Sequence, residues 1–321
     1  MARTEKLRKL KSLNPREYWK ILNSKDKKNE CQVPLNDLYN YFKNVNTANT
    51  NASDCPLINN NNSNDNNEEL NRPINEFEVQ SAIKQLKNNK SPGIDNIKNE
   101  HIKNTSQIMI PLYTKLFNLI FDTAIIPQSW SIGVIKPIYK NKGDPSLPEN
   151  YRPITLLSCL GKLFTLIINN RLKCYAEKYS ILESCQAGFR KNHSTVDNLF
   201  IIKCLIDIAK ANKTKLFCCF IDFKQAFDTV WRDGLWYKLY ENKINGKCLA
   251  VIQSIYQNVK SKVSTNKGTT MYFPCLTGVR QGENLSPLLF SMYVNDLNSF
   301  LMSKGLNGAI SELNSEDIYI Y

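Results

Sequence analysis

The sequence predicts an α+β fold, with helices backing an antiparallel sheet of short strands. Three observations carry that class. Apolar residues recur at helical spacing in several windows, as in Val79, Ile83 and Leu86. The run Leu216-Phe217-Cys218-Cys219-Phe220-Ile221 is instead apolar at every position over strand length and ends in Asp222, as a central strand would. Val134-Ile135-Lys136-Pro137-Ile138-Tyr139 is strand-like but holds a proline, which assigns it to a sheet edge.

Taken in order, residues 1–43 are Lys/Arg-rich, and 44–72 form an asparagine-rich linker that cannot bury enough apolar surface to offset its ordering entropy. Order resumes at Pro73, with Asn75 as N-cap, Glu78 at N3 and a helix closed by the turn Ser91-Pro92-Gly93. A helix from Gln107 to Ala124 is expected to bury Ile108, Leu112, Leu116, Leu119 and Ile120, with Pro111 in its first turn. Helical period runs from Thr155 to Tyr179 through Leu160, Phe164, Ile167 and Leu172. Another helix starts at Ser194 or Thr195 and buries Leu199, Ile202, Ile206 and Ala209. After the apolar strand come a helix with Leu235, Trp236 and Leu239, a strand near Met271–Leu276, and a helix with Ser286 as N-cap and Pro287 at N1.

The 321 residues carry Lys+Arg 42 against Asp+Glu 29, a net charge of 42 − 29 = +13, which points to a polyanionic partner, most simply nucleic acid. With 42% hydrophobic and 10% aromatic residues the chain can build a core, so disorder throughout is excluded. The ten cysteines are scattered without a CxxC pair, which reads as small core residues, Cys218 and Cys219 among them, in a reducing compartment. With two histidines, His101 and His193, a structural zinc site is not expected. The longest apolar stretch, Ile154–Ile168, is short and contains Lys162, so neither secretion nor a membrane span is expected.

Asp222 and Asp228 flank Phe223-Lys224-Gln225-Ala226-Phe227. A carboxylate at the end of a buried strand suits a hard cation shared with substrate phosphates. The plainer reading ends a surface strand at Asp222 and makes Asp228 a helix cap, and for Asp228 the cap is the leading one. The loop after Leu276 sets Gln281 between two glycines ahead of a proline-started helix, where backbone N–H groups can approach a phosphate or base. Arg152, close after Lys136, Lys140 and Lys142, suits a triphosphate or a nucleic-acid backbone, or else a solvated basic face.

Phe220-Ile221-Asp222-Phe223-Lys224-Gln225-Ala226-Phe227-Asp228-Thr229-Val230 resembles motif A of non-LTR (LINE-type) reverse transcriptases. Gly278-Val279-Arg280-Gln281-Gly282-Glu283-Asn284-Leu285-Ser286-Pro287-Leu288-Leu289-Phe290 resembles their motif B. Ser91-Pro92-Gly93-Ile94-Asp95 is similar to the family's leading turn motif, Tyr151-Arg152-Pro153-Ile154-Thr155-Leu156 to its fingers motif, and Gln186-Ala187-Gly188-Phe189-Arg190 to the segment before the palm. Asn14-Pro15-Arg16-Glu17-Tyr18-Trp19 resembles the connector between endonuclease and polymerase.

The resemblance implies a right-hand polymerase: a connector over 1–43, a linker over 44–72, an N-terminal extension over 73–118, and fingers with a truncated palm over 119–321. It implies two-metal nucleotidyl transfer with Mg²⁺, or Mn²⁺ in its place, dNTP substrates, an RNA template and a DNA primer, inside the cell in cytoplasm or nucleus. Asp222 would be the catalytic metal ligand, with the main-chain carbonyl of Phe223. Phe227 would exclude a ribose 2′-OH. Arg152, with Lys140 or Lys142, would hold the triphosphate; Gln281 and Gly282 would line the nascent base pair; Arg190 and Asp228 would support the site. The family's further carboxylates lie in a Tyr-Ala-Asp-Asp hairpin beyond motif B. The sequence given reaches Glu316 and Asp317 without that order, so this chain alone is expected to be inactive. A non-catalytic RNA-binding remnant and an RNA-dependent RNA polymerase stay open as alternatives.

Overall fold

The computed structural model describes residues 31–47, 67–184, 186–218 and 220–305. The connector motif at 14–19, the asparagine run up to residue 66, Cys219 and the terminal 306–321 lie outside the described residues. The elements are α1 (Leu35–Thr47), α2 (Glu68–Asn71), α3 (Glu76–Gln85), α4 (Asn99–Asn104), α5 (Ser106–Thr123), α6 (Gln128–Ser131), β1 (Ile132–Tyr139), β2 (Tyr151–Leu156), α7 (Cys159–Lys178) and α8 (Thr195–Ala211). They continue with α9 (Arg232–Glu241), α10 (Gly246–Tyr256), β3 (Lys260–Thr265), β4 (Gly268–Thr269), β5 (Phe273–Pro274), α11 (Ser286–Tyr293) and α12 (Leu297–Ser303). Among the described residues no helix is long and apolar enough to cross a membrane.

The class is as expected, a sheet backed by helices, but the sheet is mixed. Its order is β2-β1-β3-β4, with β5 on β3; β1 pairs antiparallel with β2 and parallel with β3. Pro137 therefore does not mark an edge strand. The parallel pairing ends at Ile135↔Val263, and Pro137 lies past it, opposite Pro153 of β2. The Thr155 N–H, two residues beyond Pro153, points outward from the sheet to the Gln281 carbonyl at 3.0 Å. Pro153 faces the same way, so neither proline removes a ladder bond.

The larger core gathers α3, α5, α7, α9, α10 and α11 around Phe117, Phe121, Phe164, Leu239, Ile252 and Leu289. The smaller one lies on the sheet, where Leu38 and Phe42 of α1 meet Ile135, Val263 and Phe273. The larger is pinned by Arg171 of α7, whose side chain is 4% exposed. Its Nε and Nη2 donate to the Glu78 carboxylate at 2.7 and 2.8 Å, and its remaining N–H groups to the carbonyls of Leu70, Arg72 and Pro73. Phe121 lies beneath the guanidinium.

The predicted start of α3 is observed, with Asn75 and Glu78 closing a capping box. The helix stops at Gln85, however, and Ser91-Pro92-Gly93 follows as a separate turn whose Asp95 accepts a hydrogen bond from Ser158, the N-cap of α7, at 2.6 Å. α5 has the expected span but buries Tyr113, Phe117, Ile120 and Phe121, while Ile108, Leu112 and Leu119 are exposed. That second stripe has the same period and larger rings, hence more apolar area to remove from water. Pro111 sits in the second turn of α5, and Thr155 and Leu156 belong to β2, not to the following helix. Asn44–Thr47 extend α1, and α2 buries Leu70 and Asn71, so the linker is shorter than expected. β5 covers only Phe273–Pro274 of the predicted strand, and α11 opens one residue early, on Leu285. The predicted start of α8 at Ser194 is observed, with the Ser194 N–H donating to Asp197 Oδ2 at 2.7 Å, yet none of its residues is buried, and Leu199 is 65% exposed. Capping needs only local atoms; burial needs a partner.

The largest departure is at Leu216–Asp222. Its described residues, 216–218 and 220–222, form no strand, and Phe217 is 87%, Phe220 82% and Cys218 likewise exposed. A buried strand needs neighbours for its N–H and C=O groups, and the described residues supply no ladder partner beside it. The expected central strand and the expected core position of Cys218 are therefore not observed.

Candidate functional site

An open cleft of about 410 Å³ lies where β2, the turn 224–229, the loop 277–285 and α1 meet. Lys140, Arg152, Phe227, Asp228, Gln281 and Gly282 line it. Distant parts of the sequence thus converge, because β1 and β2 bring up the cations while the loop before α11 is sewn to both β2 and the turn.

The sewing is specific. Val279 N–H donates to the Phe227 carbonyl at 2.7 Å and Gly278 N–H to that of Val230 at 2.9 Å. Arg232, at the start of α9, donates to the carbonyls of Gly278 and Thr277 and to that of Tyr256; burial pulls its guanidinium down to about 10. Arg280 is buried beside the cleft, its fork taken by the carbonyls of Trp130 and Ile255. Glu283 is buried and accepts from the Thr165 hydroxyl at 2.5 Å. These supports escaped the sequence reading. Nothing near Arg232 or Arg280 in the sequence points to the carbonyls they meet, 24 to 150 residues away.

Gly282 has φ +115, and a Cβ there would lie 2.6 Å from the Thr155 carbonyl oxygen. Only glycine permits both the backbone angle and the approach of the loop to β2. Gly282→Ala is expected to cost about 1–3 kcal/mol of stability, read as a lowered urea midpoint with an unchanged slope. An unaltered midpoint would contradict the tight fit.

Phe227 forms an apolar wall. Its ring stacks on Phe290 at 5.2 Å and meets the edge of Phe189 at 6.2 Å. Asp228 does not cap a helix. It sits at the end of the turn, where its Oδ2 accepts from Gln281 Nε2 at 3.0 Å. Burial pushes its carboxyl up to about 6, against the lowering pull of Gln281 and Lys140. Lys140 donates its Nζ to the Glu149 carbonyl at 2.6 Å. Arg152 is exposed at the mouth.

The other predicted residues stand elsewhere. Asp222 is exposed and is not among the cleft's lining residues, and neither are Phe223 and Lys142. Arg190 pairs with Glu177 at 2.9 Å and donates to the Glu183 carbonyl, which anchors the loop carrying Phe189. Among the described residues no group of three or more His, Cys, Asp or Glu side chains converges to hold a metal ion. The sequence reading missed α1 altogether as a part of the site: Tyr41, Phe42, Val45 and Asn46 line the cleft, and Gln225 Nε2 donates to the Tyr41 hydroxyl at 2.9 Å.

Residues 138–313 match the family described as reverse transcriptase (RNA-dependent DNA polymerase). The chain is 36% identical over 228 residues to the probable RNA-directed DNA polymerase from transposon BS of Drosophila melanogaster, covering 70% of this chain and 25% of that protein. It is 29% identical over 243 residues to the RNA-directed DNA polymerase from mobile element jockey of the same fly, covering 76% and 26%. It is 28% identical over 243 residues to the retrovirus-related Pol polyprotein from type-1 retrotransposable element R2 of Popillia japonica, covering 75% and 33%. The matched chain spans about a quarter of the length of the two Drosophila relatives.

Proposed function

The chain belongs to the reverse transcriptases of non-LTR retrotransposons, and from that premise we propose that the cleft receives the incoming deoxynucleoside triphosphate of RNA-directed DNA synthesis. The observation that carries the reading is convergence: Arg152, Phe227, and Gln281 with Gly282, drawn from three separate motifs, line the same cavity together with Lys140. Arg152 presents a bidentate donor fork to phosphate oxygens, with Lys140 as a point charge beside it. Phe227, held between Phe290 and Phe189, cannot swing aside to admit a 2′-hydroxyl. Gly282 lets base and backbone come close, and Gln281 offers its amide to the base pair. In this reading β1 and β2 belong to the fingers and 214–303 to the palm.

The family's Mg²⁺ would fall to Asp222 and the Phe223 carbonyl. The described residues do not complete such a site, since a single exposed carboxylate is too small a donor set. No step is derived through a cation. What the chain's own residues supply is binding, orientation and selection of the nucleotide; template and primer would bind the basic surface with a steep salt dependence.

Arg152→Ala is expected to weaken dTTP binding to the template–primer complex about tenfold or more, the scale of hydrogen bonds to a charged group. Competition binding measures it, with circular dichroism as the folding control. Equal affinity in a folded variant would remove Arg152 from the site.

A further inference from the structure

We propose that α1, outside the matched stretch 138–313, is a wall of the nucleotide cleft, and that Tyr41 donates its phenolic proton to an oxygen of the bound nucleotide. The proposal rests on the reading of the cleft as a deoxynucleotide site.

The helix is fixed in place from three sides. Leu38 and Phe42 are buried against the sheet in the smaller core. At its C-terminal end the Asn46 carbonyl accepts from the N–H groups of Leu276 and Thr277, at 2.8 and 3.3 Å, just ahead of the loop that carries Gln281. From its middle, Tyr41 meets Gln225 at the head of the turn that carries Phe227. α1 therefore touches both segments that form the cleft, and it lines the cavity without filling it.

Gln225 explains why that contact matters. It has φ +56, left-handed backbone that a non-glycine residue adopts at a cost of about 1 kcal/mol or more. Its carbonyl accepts from the N–H groups of Asp228 and Thr229, and its amide is held by Tyr41. The turn is thus clamped at its head by α1 and further along by the Val279 bond to the Phe227 carbonyl.

The chemistry of the phenol completes the case. A tyrosine hydroxyl accepts and donates; here it accepts from Gln225, and its own proton has no recorded acceptor among the described residues. Burial raises its pKa, so the proton stays on through the neutral range. A protonated donor in the wall of an anion-binding cleft suits a sugar or phosphate oxygen.

Two measurements on the full chain, loaded with RNA template and DNA primer, test the proposal. Photolabelling with 8-azido-dATP should mark the tryptic peptide of residues 29–43 as well as peptides from the loop. Tyr41→Phe, which keeps the ring and its edge contact with Phe42, should lower dATP affinity about three- to tenfold, the worth of one neutral hydrogen bond. Unchanged affinity in Tyr41→Phe would overturn the proposal, whatever the labelling. Labelling of the loop peptides together with unchanged affinity would leave the deoxynucleotide reading standing, whereas wild-type chain that neither labels nor binds dATP would overturn that reading and this proposal with it.

Discussion

Arg171→Met is expected to lower the free energy of unfolding by about 3–5 kcal/mol. The arginine is buried and all its bonds end on buried or half-buried acceptors, so methionine fills the volume but takes from the Glu78 carboxylate its two shortest donors, leaving it Asn75 and Arg72, and strips three carbonyls of theirs. Burial raises the Glu78 carboxyl, and Arg171 together with the Asn75 N–H more than reverses it, leaving the group below its ordinary 4.5. The pair's contribution is accordingly complete above that value and lost as the pH falls through the lower, folded one. Urea unfolding of wild type and variant at pH 7 reads the difference. A loss below 1 kcal/mol would show that water replaces the guanidinium, and the pin would have to be sought elsewhere in the core.

Asp228→Asn has the opposite sign and depends on pH. The folded chain holds the Asp228 proton up to about 6, whereas the unfolded chain releases it near 3.8. Stability from this group is fully present below 3.8 and is lost as the pH rises toward 6. The gap of about two units corresponds to about 3 kcal/mol. Asparagine carries no charge to desolvate, so the variant should gain up to that amount at pH 7.5 and nothing at pH 4. Equal effects at the two pH values would mean that the carboxylate is solvated. If the cleft holds the nucleotide as proposed, the gain should come with weaker dATP binding. A carboxylate only accepts, so it forces the Gln281 amide to turn its NH₂ inward and its oxygen toward the cleft, while asparagine tolerates either orientation.

What the sequence made legible was local chemistry. The capping box at Asn75–Glu78 and the helix start at Ser194 depend on atoms within one turn, and both are found. The motifs around Arg152, Phe227 and Gln281 are legible as family patterns, and all three residues line one cleft. Long-range pairing was not legible. Nothing local distinguishes Tyr41 from Tyr39, yet the first reaches Gln225 across 184 residues while the second packs on Phe273. Asp228 looked like a cap because its partner, Gln281, is 53 residues away. The run before Asp222 reads as a strand from its unbroken apolar pattern, and that pattern does not say whether a neighbouring strand is present to pair with it.

The parallel seam between β1 and β3 also sets an order of assembly. Lys136 of β1 meets Ser264 of β3 across 128 residues, a loop whose closure costs about 4 kcal/mol in chain entropy. At roughly 5–20 residues per second of synthesis, the hairpin of β1 and β2 waits some ten seconds for that strand to emerge. Through that interval β1 has an open side, and Lys136 and Pro137 stand on its strand, a charge and a missing N–H that make it a poor template for stray chains. The proline that is harmless in the finished sheet guards the nascent one, and the cleft, which needs Arg152 from the early hairpin and Gln281 from the late loop, is among the last parts of the molecule to exist.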